Sequence, residues 1–141
     1  KLSKKMKKTT VFITHDLDEA VRVGHRIAIM RDGMVVQIGT PEEIVVNPAD
    51  EYVADFVKGI SRLKVVQAKT IMKSIKEYEN KFGKLNNNNE LVNENEVLSK
   101  LIEISVTKDK PIIVTNKNNE KIGFISQSDL LKAVVEGNEN E

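Results

Sequence analysis

A chain of 141 residues, 40% hydrophobic and 30% charged, has the composition of an ordinary globular protein of one domain or two small ones. With Lys and Arg at 22 against Asp and Glu at 21, the net charge is +1, so no global field draws it to nucleic acid. There is no cysteine, which excludes disulfides and thiolate metal sites, and no apolar run of about 18 residues, so no membrane-spanning helix is expected.

Lys1 to Lys8, KLSKKMKK, reads as the basic tail of a helix, where cations meet the negative end of the macrodipole. Thr10 to Ile13 is a β-branched and aromatic run that predicts a strand. It stops at Thr14-His15-Asp16. Asp16 followed three residues later by Glu19 has capping-box spacing and predicts a helix over 17–23, closed by Gly24 as a C′ glycine. His15 is therefore placed at the mouth of a strand-to-helix turn, the edge of an open α/β sheet at which ligands bind. RIAIM (26–30) and Met34 to Ile38 read as two strands of a hairpin turning at Asp32-Gly33. Thr40-Pro41-Glu42-Glu43 opens a helix, with Thr as N-cap and Pro where its missing N–H does no harm. Asn47-Pro48 breaks it, and a further helix presents Tyr52, Val53, Phe56 and Val57 on one face.

Gly59 and Ser61 interrupt the periodicity, and a boundary is expected across Lys58 to Lys64. Val65 to Ile75 reads as an extended lead-in and a short helix, and the asparagine-rich stretch from Glu79 to Asn95 as a mobile loop with little burial. Order returns with a short strand at ELVN (90–93) and a helix bearing Val97, Leu98, Leu101, Ile102 and Ile104. Pro111 to Thr115 and Lys121 to Ser126 are strands; Ser128 or Asp129 opens a last helix carrying Leu130, Leu131, Val134 and Val135, which Gly137 ends. The order is β-α-β-β-α.

VFITHDLDEA, RIAIMRDGMVVQIGTPEEI and NPADEYVADFV, in that order and spacing, resemble the last third of the ATPase subunit of an ABC importer of the glycine-betaine and quaternary-amine branch, over about Lys1 to Gly59. The resemblance implies that His15 is the switch histidine, which contacts the γ-phosphate of ATP and helps place the attacking water. No GxxxxGK[ST] loop and no apolar strand ending in Asp-Glu precedes it, and the signature and glutamine loops are missing. These residues are not expected to hydrolyse ATP alone. The chain enters the resemblance mid-domain with Lys as its first residue, and is expected to be an excised or truncated piece of a longer subunit rather than a decayed remnant.

The β-α-β-β-α stretch, about Leu91 to Glu136, resembles a CBS domain, the regulatory module fused behind the ATPase in that branch, and AKTIMKS resembles the segment leading into it. Gly123-Phe124-Ile125-Ser126-Gln127-Ser128-Asp129 fits the G-h-h-S/T-x-x-D pattern by which such domains hold adenosine nucleotides. The resemblance implies ribose at Asp129, phosphate at Ser126 and the helix N-terminus, and the base at an apolar edge around Pro111 and Ile112, with AMP, ADP, ATP or cyclic-di-AMP as candidate ligands. Ser126 and Asp129 also read as ordinary N-cap residues. CBS modules work as tandem pairs and only one full copy is present, so a homodimer is expected to supply the other half. Lys110, Lys117, Lys121 and Lys132 are scattered and make no dense patch of the sort that senses ionic strength at an anionic membrane.

The expected fold class is thus α/β: the C-terminal part of an ABC ATPase domain (1–60), a linker and CBS lead-in (61–90) and a single CBS domain (91–137). The implied function is part of the ATP-binding subunit of an importer of glycine betaine or proline-type osmoprotectants, on the cytoplasmic face of the cell membrane. It would partner the transporter's membrane subunit, with ATP bound only by the complete subunit, and without metal, nucleic acid or membrane insertion. The alternatives are a stand-alone CBS module that binds an adenine nucleotide, or a purely structural dimerisation element. The first half is expected to show unpaired edges and to swap, dimerise or be partly disordered.

Overall fold

The computed structural model describes residues 8–136. The expected helix within Lys1 to Lys8 and the helix stop at Gly137 fall outside the described residues, apart from Lys8. The chain divides into two compact units between Ile60 and Ser61.

In the first unit, helix α1 (Leu17–Val23) is followed by the strands β1 (Ile27–Arg31) and β2 (Met34–Gly39) and the helices α2 (Pro41–Val46) and α3 (Glu51–Val57). The hairpin turns where expected: Asp32 and Gly33 both take positive φ, 51° and 78°, which a tight turn between twisted strands demands. A bulge between Ile29 and Met30 shifts the antiparallel register. Inward Ile27 and Ile29 join Ile44, Val53 and Val57 in one core, with Leu17, Ala20 and Val21 of α1 against it. Thr40 and Glu43 complete a reciprocal capping box, the Glu43 N–H donating to Thr40 Oγ1 at 3.2 Å and the Thr40 N–H to Glu43 Oε2 at 2.8 Å.

Two local elements differ from expectation. Thr10 to Ile13 forms no strand and belongs to no sheet among the described residues, and Val11, Phe12 and Ile13 are 85%, 56% and 91% exposed. β propensity measures fit to a pleated, half-buried surface, and without a neighbouring strand it produces none. Gly24 follows α1 with φ −82°, so it is no left-handed cap; a Cβ there would stand 2.9 Å from the Ala20 carbonyl oxygen, and close approach is what requires glycine.

The second unit begins with two short helices, α4 (Arg62–Val65) and α5 (Ala68–Ile71), then β3 (Lys73–Ser74) and α6 (Ile75–Phe82). β4 (Leu91–Asn93), α7 (Leu98–Thr107), β5 (Ile112–Thr115), β6 (Lys121–Ile125) and α8 (Gln127–Val135) complete it in the expected β-α-β-β-α order. The sheet order is β3-β6-β5-β4, with β4 parallel to β5 and the other pairs antiparallel. All four residues of β5 are buried, so both sheet faces are covered. On one face the cross-strand pair Ile113 and Phe124 meets Tyr78 of α6. By the two-residue period Ile112, Val114 and Ile125 serve the other face; Leu98, Leu101, Leu130 and Ala133 are the buried sides of α7 and α8.

The asparagine-rich stretch is a largely exposed loop over 83–90, as expected, but its first residues belong to α6, which runs to Phe82, and Asn89 ties it to the sheet. Tyr78 is 4% exposed and stacks edge-on with Phe124 at 5.4 Å. Asn89 donates from Nδ2 to the Pro111 carbonyl at 2.8 Å and accepts from the Tyr78 hydroxyl at 3.4 Å. Asn89 thus satisfies a backbone group at the start of β5, while Asn86, Asn87 and Asn88 stay exposed. The lead-in is stitched to the same unit: the Ala68 and Lys69 amides donate to the Glu96 and Glu94 carbonyls, and the Leu98 amide to the Val66 carbonyl.

Candidate functional site

Three segments converge at one end of the β5–β6 pair. Ile112 is registered with Ile125, and one step further along the same antiparallel register Pro111 stands opposite Ser126, where β6 gives way to α8. The sequence-predicted residues Pro111, Ile112, Ser126 and Asp129 are therefore neighbours in space. Lys73 joins them, because β3 pairs with β6 through Lys73 opposite Phe124 and Ser74 opposite Gly123.

Gly123 makes that third strand possible. A Cβ there would lie 2.7 Å from the Lys73 carbonyl oxygen and 2.7 Å from Met72 Sδ, inside any real contact distance. The glycine that opens the G-h-h-S-x-x-D string thus serves the close approach of the lead-in.

Ser126 and Asp129 form a reciprocal capping box. The Ser126 amide donates to Asp129 Oδ2 at 2.9 Å, the Ser126 hydroxyl donates to the same oxygen at 2.7 Å, and the Asp129 amide donates back to Ser126 Oγ at 3.3 Å. Having spent its one proton on Asp129, Ser126 Oγ accepts from the Ser128 hydroxyl at 2.9 Å. Asp129 Oδ1 takes the Lys73 ammonium at 3.0 Å, with the carboxylate side chain 6% and the lysine 44% exposed. Burial by itself would push the Asp129 carboxyl up; the bonds from Ser126 and the Lys73 ammonium outweigh it and hold the group below the ordinary carboxylate range.

The arrangement offers a buried, ionised carboxylate, a half-exposed ammonium and an exposed hydroxyl at the start of a helix. Acceptors for a diol and donors for an anion stand side by side. Ile112 is 1% exposed, its side chain committed to the core, and the partly exposed Pro111 carries the apolar edge. Sequence reading missed Lys73 and Ser128. Ser128 lay within the motif string, whereas nothing local marks Lys73, which reaches the site only through sheet pairing.

His15 lies in the first unit, exposed, immediately before the α1 N-cap. Asp16 accepts from the Glu19 amide at 3.3 Å, but the expected reciprocal bond is replaced: Thr14 Oγ1 accepts from the Asp16 amide at 3.0 Å and donates to Glu19 Oε2 at 2.9 Å. Thr14 and Asp16 thus fix the backbone on either side of the histidine. Among the described residues no His, Asp and Glu cluster is arranged to hold a metal, and no helix is long and apolar enough to cross a membrane.

No family model matches the chain. It is 39% identical over 134 residues to the trimethylamine N-oxide transport system ATP-binding protein of Pelagibacter ubique, covering 95% of this chain and 37% of that one. To the glycine betaine/carnitine transport ATP-binding protein of Listeria monocytogenes it is 39% identical over 137 residues, covering 96% and 31%. A shorter match, 61% over 66 residues, covers 47% of this chain and 16% of the glycine betaine transport ATP-binding protein of Bacillus subtilis. The chain thus spans about a third of the length of the first two of these curated relatives. A solved CBS domain-containing protein of unknown function from Bacillus anthracis aligns at a TM-score of 0.33 and 13% identity, covering 85% of this chain and 75% of that one.

Proposed function

We propose that this chain, which belongs with the ATP-binding subunits of ABC importers for glycine betaine and related amines, works as the C-terminal part of such a subunit. The observation that carries the reading is the run of 39% identity through 95% of the chain, which takes in both units. On this reading the longer subunit binds and hydrolyses ATP at the cytoplasmic face, in company with a membrane subunit that carries the osmoprotectant. His15 contributes there by donating an imidazole N–H to the γ-phosphate and orienting the attacking water, with Thr14 and Asp16 fixing its backbone. The test is His15→Ala in the full-length subunit: ATP hydrolysis falls by about a hundredfold, in the range for loss of one positioned group. Hydrolysis at the unaltered rate would refute the role.

The second unit acts on this reading as a CBS module that takes an adenine nucleotide, AMP, ADP, ATP or cyclic-di-AMP. Asp129 accepts the ribose hydroxyls, the start of α8 receives the phosphate, and the base lies on the apolar edge at Pro111, since Asp129 holds the Ser126 donors and the Ile112 side chain is in the core. Ser128, whose exposed hydroxyl is not tied to the carboxylate, turns from Ser126 Oγ to the phosphate. A second copy of the chain closes the cleft from the other side; Leu131 and Val135 of α8, 67% and 54% exposed, support such a partner.

A further inference from the structure

Asp129 is already occupied. A carboxylate presents about four acceptor positions; Ser126 takes two at Oδ2 and the Lys73 ammonium one at Oδ1. A ribose cis-diol needs two. Releasing Ser126 would dismantle the cap of α8, whereas Lys73 is half in water and held by one contact, so the lysine is the group that yields. Its ammonium then loses a charge-assisted bond unless the ligand supplies another anion.

Resting on the nucleotide reading above, we propose that Lys73 sets the site's preference for phosphorylated over unphosphorylated nucleosides. A diol arriving at Asp129 displaces the lysine, and only a ligand carrying its own phosphate gives the freed ammonium a new partner. Lys73 is thus a competitor toward a neutral nucleoside and a contact toward a nucleotide. Gly123 belongs to the same device, since it admits the strand that carries the lysine to within reach of the carboxylate.

The test is calorimetric titration of the 141-residue chain with adenosine and with AMP, in the native sequence, Lys73→Gln and Lys73→Arg. The native chain binds AMP about tenfold more tightly than adenosine, the scale of one partly screened charge contact. In Lys73→Gln adenosine tightens and AMP weakens, so the ratio drops severalfold, while Lys73→Arg keeps the native ratio. A merely structural lysine would weaken both ligands together, and an equal loss or an unchanged ratio in Lys73→Gln overturns the proposal while leaving the nucleotide site standing. Binding of neither ligand by the native chain removes both the site and the proposal. If Lys73→Gln does not fold, the native chain decides through salt: the ratio falls as ionic strength rises, and a salt-independent ratio refutes the role.

Discussion

Replacing Gly123 by Ala places opposite signs on two accounts of one residue. If the glycine is incidental, alanine in an extended segment trims the conformational freedom of the unfolded chain and stabilises by about 0.4–1 kcal/mol. In this fold the new Cβ would stand 2.7 Å from both the Lys73 carbonyl oxygen and Met72 Sδ, and 3.0 Å from Met72 Cγ. The thioether can swing away, but the carbonyl belongs to β3 and is fixed by its pairing with β6. Relief requires β3 to move off, taking Lys73 from Asp129, and overpacking of this kind costs roughly 1–3 kcal/mol. For a unit of this size about 2 kcal/mol lowers the melting temperature by roughly 10 °C. Thermal unfolding followed by circular dichroism, with two-dimensional NMR to locate the change at β3 and the start of α8, reads it directly. A melting temperature equal to or above that of the native chain would refute the close-approach argument.

Other expectations follow from the same geometry. Asp129→Asn keeps an acceptor for the Ser126 amide but removes the charge, and destabilises the second unit by about 1–3 kcal/mol near neutral pH. Because the native carboxyl is held below its unfolded value, its contribution is complete above that value and is lost as pH falls through the folded one, so the two proteins converge in acid. Urea unfolding across that range checks it, and a gap independent of pH would contradict it. Thr40→Ala removes half of a reciprocal cap and destabilises α2 by about 1 kcal/mol, visible as faster amide exchange at Glu43.

What sequence reveals here is what short range decides. The Asp32-Gly33 turn, the Thr40 box and the Ser126–Asp129 box each lie within a few residues, and each forms as the residue types dictate. The β-α-β-β-α order follows because alternation and the 3.6-residue period are local too. Thr10 to Ile13 shows where this ends: the residues favour a strand, but a strand is a property of two segments, and none pairs with this one among the described residues. Asn89 shows the same limit for polar residues, whose composition does not tell water from a distant carbonyl such as that of Pro111. The site divides along this line. Ser126 and Asp129 were legible as a motif, while Lys73, brought in by strand pairing, and the burial of Ile112 follow from tertiary contacts that no local pattern records.

The nucleotide site is tested most directly by calorimetric titration of the chain with AMP, ADP, ATP and cyclic-di-AMP, repeated with Asp129→Asn after its fold has been verified. The account predicts saturable binding of at least one of the four, weakened more than tenfold when the carboxylate is replaced, as expected for loss of a charged acceptor. No saturable heat with any of them would contradict it.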